Sequence, residues 1–337
     1  MLTVNSWDEW SPLKCVIVGR ADGARVPSED RSLRAISYAQ FKHDDKIPSG
    51  PYPQQVVDEA NEDLDLMADQ LTKQGIEVLR PEIFDLEKDD AQYLYCPRDS
   101  TLVVGDQVFA TPMPIRARSF EAQYFRPLFK NLSNRYIEAP LVRRADESYE
   151  VEDVKPGVPT LKDLEPLFDA ANVLRCGYDL FYLVSNSGNK KGAEWLQQTL
   201  GSQFKVHALS GIYSYMHIDS TISLLKPGLV LLNPERIKKD QIPEPFKKWK
   251  VLWSPEPEPM GYYGEYNNAS KWIGMNLLMI NSSLAVVEES QLSLIKMLEM
   301  NGIDVLPVRL RHQRTLGGGA HCVTLYLIRQ GQAEHYF

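Results

Sequence analysis

The chain has 337 residues, enough for one large domain or two ordinary ones, and its 43% hydrophobic content can fill a sizeable core. The formal net charge of -8 argues against a nucleic-acid-binding protein, which would need basic groups to neutralise phosphates. No run of about 18 apolar residues predicts a membrane span, and no signal peptide is recognised. The cysteines are few and widely spaced, which suits a reduced compartment. We therefore expect a soluble, cytoplasmic protein; its cysteines are Cys15, Cys96, Cys176 and Cys322.

Three segments along the chain repeat one pattern, a helix, a glycine and a short strand. Apolar residues at helical spacing predict each helix, and a glycine is a common helix stop. After the first and third helices, the glycine and the strand that follows it have nearly identical sequences, GIEVL and GIDVL. Such repetition indicates a fold built from similar units. The helices are predicted at 53–74 before Gly75, 193–200 before Gly201 and 291–301 before Gly302.

Five segments each consist of an apolar run, a turn and a second apolar run, which is the pattern of a buried β-hairpin. The second half of the last segment is polar, so it fits the pattern least well. The hairpins are predicted to begin at Thr101, Asn172, Thr221, Leu277 and Val323.

A polar residue precedes each predicted hairpin. An aspartate before a strand often only caps a turn, but here polar residues recur at one repeat position. Five similar units would pack most simply around an axis, which brings their entry loops to one central cleft. A doubly wound sheet is the alternative, although the chain has neither a GxGxxG nor a Walker A motif. The residues in question are Asp99, Asp169, His217 with Asp219, Ser270 and Cys322.

Cys322 follows three consecutive glycines, which permit close approach of the backbone to a ligand. The simpler interpretation is a buried core cysteine after a flexible turn. A free thiol has a pKa of about 8.5 and needs a base or cation to become a nucleophile. We expect His217 to fill that role with Asp169 orienting it. His321 is the second choice, because it would point to the opposite side of an extended strand.

Cysteine, histidine and aspartate together also suggest a cysteine protease or a zinc site. Three carboxylates around one thiol would raise its pKa unless a cation occupies the cleft, and a planar guanidinium would fit. The ligand spacings of structural zinc sites and of HExxH sites are absent, so we expect no metal.

Several stretches resemble the arginine:glycine amidinotransferases and their bacterial relatives, including the inosamine-phosphate and arginine:lysine enzymes of natural-product pathways. The resemblance spans nearly the whole chain, and the stretches include VNSWDEWSPLKCVIVGR, CPRD, FDAANVLR, MHIDST, PGLVLLNPERI, WIGMNLL and LGGGAHC. It implies an α/β fold, a five-bladed α/β propeller of ββαβ units in a single domain over residues 1–337. It also implies L-arginine and an acceptor amine as small-molecule substrates, with ornithine as a product and no cofactor. Whether the protein forms a homodimer is left open.

The same resemblance implies a role for each candidate residue. A covalent amidino-cysteine forms and is passed to the acceptor in a ping-pong reaction. The nucleophile is Cys322, with His217 and Asp169 as the acid/base pair; Asp99 and Asp219 grip the guanidinium; and Arg236 holds the substrate carboxylate, unless it forms only a surface salt bridge.

The acceptor is predicted from two positions near the site. Met216 resembles the methionine that accompanies small acceptors such as glycine in the family, and a thioether would leave cyclitol hydroxyls unsatisfied. Ala269-Ser270 replaces the paired serines of the glycine enzymes, and the SNSGN segment resembles the arginine:lysine enzyme. We therefore expect glycine first and lysine second. The alternatives are an arginine deiminase that admits water, a non-catalytic arginine-binding protein and a peptide hydrolase.

Overall fold

The computed structural model describes residues 3–41, 46–129 and 135–337. The helices are α1 (Arg31–Ser37), α2 (Gln54–Lys73), α3 (Pro97–Ser100), α4 (Glu121–Phe129), α5 (Lys190–Leu200), α6 (Leu292–Met300) and α7 (Gln313–Leu316). The strands are β1 (Leu13–Val18), β2 (Arg25–Val26), β3 (Gly50–Pro51), β4 (Glu77–Leu79), β5 (Thr101–Val104), β6 (Gln107–Ala110), β7 (Arg135–Ile137), β8 (Val173–Cys176), β9 (Asp179–Leu183), β10 (Lys205–Leu209), β11 (Ile222–Lys226), β12 (Leu229–Leu232), β13 (Lys250–Trp253), β14 (Leu278–Asn281), β15 (Leu284–Glu288), β16 (Asp304–Val308) and β17 (Thr324–Arg329).

The predicted α/β class is confirmed by three-stranded sheets that share one topology. In four of them an antiparallel hairpin is followed by a third strand parallel to the second. These sheets are β5-β6-β7, β8-β9-β10, β11-β12-β13 and β14-β15-β16.

Helices α4, α5 and α6 connect the second and third strands in three of these sheets. The β12–β13 connection forms only short 3₁₀ helices, at Lys239–Gln241 and Glu244–Lys248. This connection contains Pro234, Pro243 and Pro245, and proline lacks the N–H that an α-helix interior requires.

The fifth sheet corrects the predicted hairpin at Val323. Strand β17 pairs with β1 from the other end of the chain, as in the register Val16 to Tyr326, and β1 pairs parallel to β4. The residues after β17 form no strand. The prediction was wrong because the polar GQAEHYF segment cannot bury an alternating apolar face, whereas β1 supplies five buried residues out of six.

The predicted helix–glycine–strand units are all present. Helix α2 buries Val56, Ala60, Leu64 and Met67 along one face, as the helical spacing predicts. The glycine after each of the three helices has a positive φ, of 77° at Gly75, 83° at Gly201 and 72° at Gly302. A side chain would strain that conformation, so the glycines end the helices.

A short helical turn lies immediately before the first strand of each regular hairpin. Helix α3 precedes β5, and 3₁₀ turns precede β8, β11 and β14. These turns place the polar repeat residues just outside the buried strands. In the described part of the chain, every helix is too short or too polar to cross a membrane.

Candidate active site

One cavity of about 360 Å³, here called the main cavity, brings most of the predicted site residues together. Asp169 does not line the cavity, but its side chain is fully buried and contacts His217. The predicted residues that line it are Asp99, Met216, His217, Asp219, Arg236, Ser270 and Cys322.

The glycines before Cys322 allow a tight turn that is packed on both sides. Gly317 has a φ of 82°, in the left-handed region. A Cβ on Gly318 would lie 2.4 Å from the Cys96 sulfur, and one on Gly319 would lie 2.8 Å from the Asn276 side chain. The turn therefore carries Cys322 into the cavity wall, where it is only 2% exposed.

The sulfur of Cys322 has both acidic and hydrogen-donating neighbours. The thiol donates to Asp219 Oδ2 at 3.2 Å, and Asn276 Nδ2 donates to the sulfur at 3.2 Å. The hydrogen bond with Cys96, burial and the Asp219 charge raise the pKa of Cys322 well above its usual value, and the hydrogen bond with His217 opposes them. The thiol is therefore neutral, and a further cation beside it would favour the thiolate.

His217 is held by two carboxylates. Its Nε2 lies 2.9 Å from Asp169 Oδ2, and its Nδ1 lies 3.8 Å from Asp99 Oδ1. Burial, the largest single effect, lowers the pKa of His217, but Asp99, Asp169 and Cys322 together raise it well above the usual value. His217 is thus an imidazolium that can donate a proton.

Two aspartates present negative charge to the same cavity in different ways. Asp99 Oδ2 pairs with Arg118 Nη2 at 3.0 Å, while Asp99 Oδ1 is buried without a hydrogen-bond partner among the described residues. Asp219 Oδ2 lies 3.0 Å from His321 Nδ1. A ligand with several N–H donors would complete the hydrogen bonding of Asp99.

The two carboxyl groups also differ in pKa. Burial raises the pKa of Asp99, and His217 and Arg118 only partly offset it. Burial also acts to raise the pKa of Asp219, but His321, His217 and Cys322 together lower it well below its usual range. Asp219 is therefore charged, and a cation beside Asp99 would favour its charged form as well.

Arg236 carries a positive charge on the cavity wall without a salt bridge to any described residue. Its Nη1 donates to Ser220 Oγ at 2.8 Å and Thr221 Oγ1 at 2.9 Å, and its Nη2 donates to Ser270 Oγ at 3.0 Å. Its guanidinium stacks 3.7 Å from the Tyr213 ring centroid. The surface salt bridge considered from the sequence is not formed, and the fixed guanidinium can receive an anionic group.

Two residues beyond the predicted set, and His321, the second choice for the base, also belong to the site. Asn276 contacts the Cys322 sulfur, and Gln92 presents a buried amide oxygen that lacks a partner among the described residues and lines the main cavity. His321 lies in the turn before β17, outside the strand, and its ring reaches Asp219 and Glu9. Asn276 could have been found from the sequence, because it directly precedes the hairpin at Leu277, closer than Ser270.

The cysteine, histidine and aspartate also form a cluster that could hold a metal ion. Ligand atoms of His217, Asp219 and Cys322 lie within 4.8 Å of one another. The same atoms make the contacts described above, so a metal there would displace them. The absence of a metal requirement stays a prediction.

Known proteins match this chain over its whole length. No family model matches the chain. It is 46% identical to inosamine-phosphate amidinotransferase 1 of Streptomyces glaucescens, over 100% of this chain and 99% of the relative. The chain belongs to the amidinotransferase family. Two further amidinotransferases match, the mitochondrial glycine enzyme of Xenopus tropicalis at 36% identity over 99% and 85% of the two chains, and the L-arginine:L-lysine enzyme of Pseudomonas savastanoi pv. phaseolicola at 33% over 99% and 96%.

Solved structures that superpose on this chain include an amidinotransferase and a more distant protein with the same fold. Inosamine-phosphate amidinotransferase StrB1 of Streptomyces griseus superposes with a TM-score of 0.95 at 44% identity, covering 99% of each chain. DDAH of Pseudomonas aeruginosa superposes with a TM-score of 0.60 at 12% identity, over 94% of this amidinotransferase and 99% of DDAH, which shows a shared fold alone.

Proposed function

We propose that this amidinotransferase moves the amidino group of L-arginine through Cys322 to an acceptor amine and releases L-ornithine. The observation that carries the proposal is a buried thiol, an imidazolium and two carboxylates around one cavity, with Asp99 Oδ1 lacking a hydrogen-bond partner among the described residues. Arg236 on the same wall suits the substrate carboxylate. The positive guanidinium of arginine would lie beside the two carboxylates, and its negative carboxylate would lie beside Arg236.

In the first half-reaction, the guanidinium lies beside Asp99 and Asp219. Its positive charge offsets their effect on the thiol and favours the Cys322 thiolate, and the thiol proton is lost to solvent. The sulfur attacks the guanidinium carbon, and His217 protonates the departing nitrogen. Ornithine leaves as the amine, and the amidino group stays on the sulfur as a thioether.

In the second half-reaction, the acceptor amine gives a proton to His217, held by Asp169. Its nitrogen attacks the amidino carbon, the carbon–sulfur bond breaks, and the Cys322 thiolate is restored. The product is a new guanidine. Since each half-reaction leaves His217 ready for the next, no cofactor is needed.

The acceptor proposal rests on Met216, which lines the main cavity beside His217. A thioether offers bulk without a strong hydrogen bond, which favours glycine first and lysine second. A second candidate is favoured by the relatives: identity to the inosamine-phosphate enzyme is 46%, against 36% and 33% for the glycine and lysine enzymes. An aminocyclitol phosphate is therefore the acceptor to test against glycine.

The proposed architecture is one catalytic domain over residues 1–337, with the five three-stranded sheets as blades of an α/β propeller in a cytoplasmic protein. Support comes from their common topology and from the sheet that joins β17 to β1. A single cooperative unfolding transition is expected; two separable transitions would contradict a single domain. Light scattering would distinguish a monomer from a homodimer.

The test incubates the full chain with arginine and, separately, glycine, lysine, a longer ω-amino acid or an aminocyclitol phosphate. Ornithine formed only with an acceptor over many turnovers is the expected result. Citrulline formed without any acceptor would instead make the protein a deiminase, in which water replaces the amine. Saturable arginine binding with no product would make it an arginine-binding protein, and peptide cleavage would make it a hydrolase.

A further inference from the structure

Asn276 holds the turn of Cys322 with both ends of its amide. It is 3% exposed and directly follows the 3₁₀ helix Lys271–Met275. Its Oδ1 accepts from the backbone N–H of His321 at 2.9 Å and of Cys322 at 3.2 Å. Only the amide oxygen can accept both, so Nδ2 must be the atom that faces the Cys322 sulfur at 3.2 Å.

We propose that Asn276 is a catalytic residue that donates a hydrogen bond to the Cys322 thiolate, an inference that rests on the proposed reaction through Cys322. Burial, Asp219 and Cys96 all disfavour a negative sulfur. Among the described contacts of that sulfur, His217 and Asn276 oppose them. A neutral amide also leaves the negative charge of Asp99 and Asp219 free for the guanidinium.

The two donors differ in what happens to them during the reaction. His217 gives its proton to the departing nitrogen and then takes one from the acceptor. The Asn276 amide keeps its hydrogens through both half-reactions, because it does not titrate in the working range. It therefore stays a donor both when the sulfur attacks and when the sulfur leaves.

The surrounding chain fixes the direction of this amide. Gly319 packs directly against it, since a Cβ there would lie 2.8 Å from Asn276 Oδ1. The two backbone donors hold Oδ1 at the same time. A preorganised donor of this kind needs no rearrangement as negative charge returns to the sulfur.

Asn276→Asp separates the two ends of the amide. The retained oxygen still accepts from the backbone, whereas the atom facing the sulfur loses its hydrogens. A hydrogen bond to a charged group is worth about 1.5–3 kcal/mol, so the expected fall in kcat is about 10-fold to 100-fold, with a smaller change in the KM for arginine. The pH midpoint for iodoacetamide alkylation of Cys322, followed on its own peptide without substrate, should rise by about 1–2 units.

Asn189→Asp is the matched control. Asn189 is 1% exposed, its Oδ1 accepts from the backbone N–H of Leu167 and Gly192, and its Nδ2 donates to the carbonyls of Lys162 and Glu165. It contacts neither Cys322 nor the main cavity among the described contacts. We expect it to change thermal stability without moving the alkylation midpoint.

Asn276→Ala removes the same donor without adding a charge and serves if Asn276→Asp does not fold. An unchanged midpoint in a folded Asn276 variant would overturn the proposal and leave Asn276 as a structural residue. Because alkylation needs no turnover, this failure is distinct from failure of the proposed function, in which wild-type protein would form no ornithine from arginine and any acceptor.

Discussion

The main cavity and a second, much smaller cavity hold buried carboxylates in contrasting surroundings. The small cavity, of about 10 Å³, shares Asp219 with the main one and is lined by Glu9 and His321. There Glu9 accepts two side-chain N–H bonds from Arg175 and is further bonded by Tyr326. In the main cavity Asp99 Oδ1 has no hydrogen-bond partner among the described residues, although His217 Nδ1 lies 3.8 Å away.

This difference separates structural charge from charge suited to a ligand. Burial acts to raise the pKa of Glu9, but Arg175, His321 and Arg98 lower it well below the usual value, so the protein itself neutralises this carboxylate. Asp99 shares Arg118 with Glu121, and burial raises the pKa of both carboxyl groups. A cationic substrate beside Asp99 would favour its charged form.

The largest effect is expected for Cys322→Ala, which removes the proposed nucleophile. Turnover should be lost while the fold and arginine binding persist, since the sulfur is needed only when bonds change. Ornithine assay and calorimetric titration with arginine measure the two properties. The control is Cys176→Ala, which changes a fully buried cysteine outside the main cavity and should keep activity. Substantial turnover by Cys322→Ala would refute the mechanism.

Asp169→Asn should lower kcat by about 10²-fold to 10⁴-fold, the range of a general acid–base contribution. Asp169 helps to raise the pKa of His217, so its loss lowers that pKa. The imidazolium then loses its proton at a lower pH, and the basic limb of the kcat/KM profile should shift to lower pH.

The control for this variant is Asp179→Asn, which removes the carboxylate 2.5 Å from His207, a pair that does not line the main cavity. Its pH profile should match that of the wild type. An unmoved basic limb in Asp169→Asn would exclude the pair of Asp169 and His217 as the titrating unit.

Asp99→Asn and Asp219→Asn should each weaken arginine binding and slow transfer. Losing one partner of a buried ion pair costs about 3–5 kcal/mol, which corresponds to about 10²-fold to 10⁴-fold in affinity. Steady-state kinetics with varied arginine would measure this. Unchanged arginine kinetics in both variants would rule out a role of Asp99 and Asp219 in binding the guanidinium.

Glu9→Gln tests the other side of the comparison. It should lower the free energy of unfolding more than it changes the KM for arginine. Because the folded-state pKa of Glu9 lies well below its usual value, its contribution is present above that usual value and is lost as pH falls through the folded-state pKa. In Glu9→Gln the free energy of unfolding should therefore fall less steeply as the pH is lowered. A selective loss of arginine affinity would contradict the distinction between the two cavities.

The smallest effect is expected for Met216→Ser, which adds a polar group beside His217. Discrimination by one side chain in a pocket is typically about 10-fold to 200-fold. The ratio of kcat/KM for glycine to that for an aminocyclitol phosphate should fall by such a factor. If wild-type protein already prefers the aminocyclitol phosphate, the Met216 argument is wrong.

The sequence predicted the hairpins and helices that are local in the chain. Apolar periodicity and the glycines after α2, α5 and α6 encode these elements directly. The pairing of β17 with β1 could not be predicted in this way, because it joins distant segments and depends on the whole fold. The correct part of the fold therefore came from local periodicity, and the error from a long-range contact.

The site shows the same division. Cys322 and the aspartates at the hairpin entrances were predicted because each carries a local motif. Cys322, Asp99 and Asp219 line the main cavity, and Asp169 reaches it only through His217. Asn276 directly precedes the hairpin at Leu277, but a single amide does not by itself indicate a role, and both Asn276 and Gln92 were missed. Their importance emerges only when the fold places one against a sulfur and leaves the other unpaired.

The most direct test of the amidino transfer is a rapid acid quench of enzyme and arginine without acceptor, followed by peptide mass measurement. We predict one added amidino group on the peptide that contains Cys322, formed together with one equivalent of ornithine and removed when glycine or another accepted amine is added. An adduct on a different residue, or steady ornithine formation with Cys322 unmodified at every time point, would contradict the account.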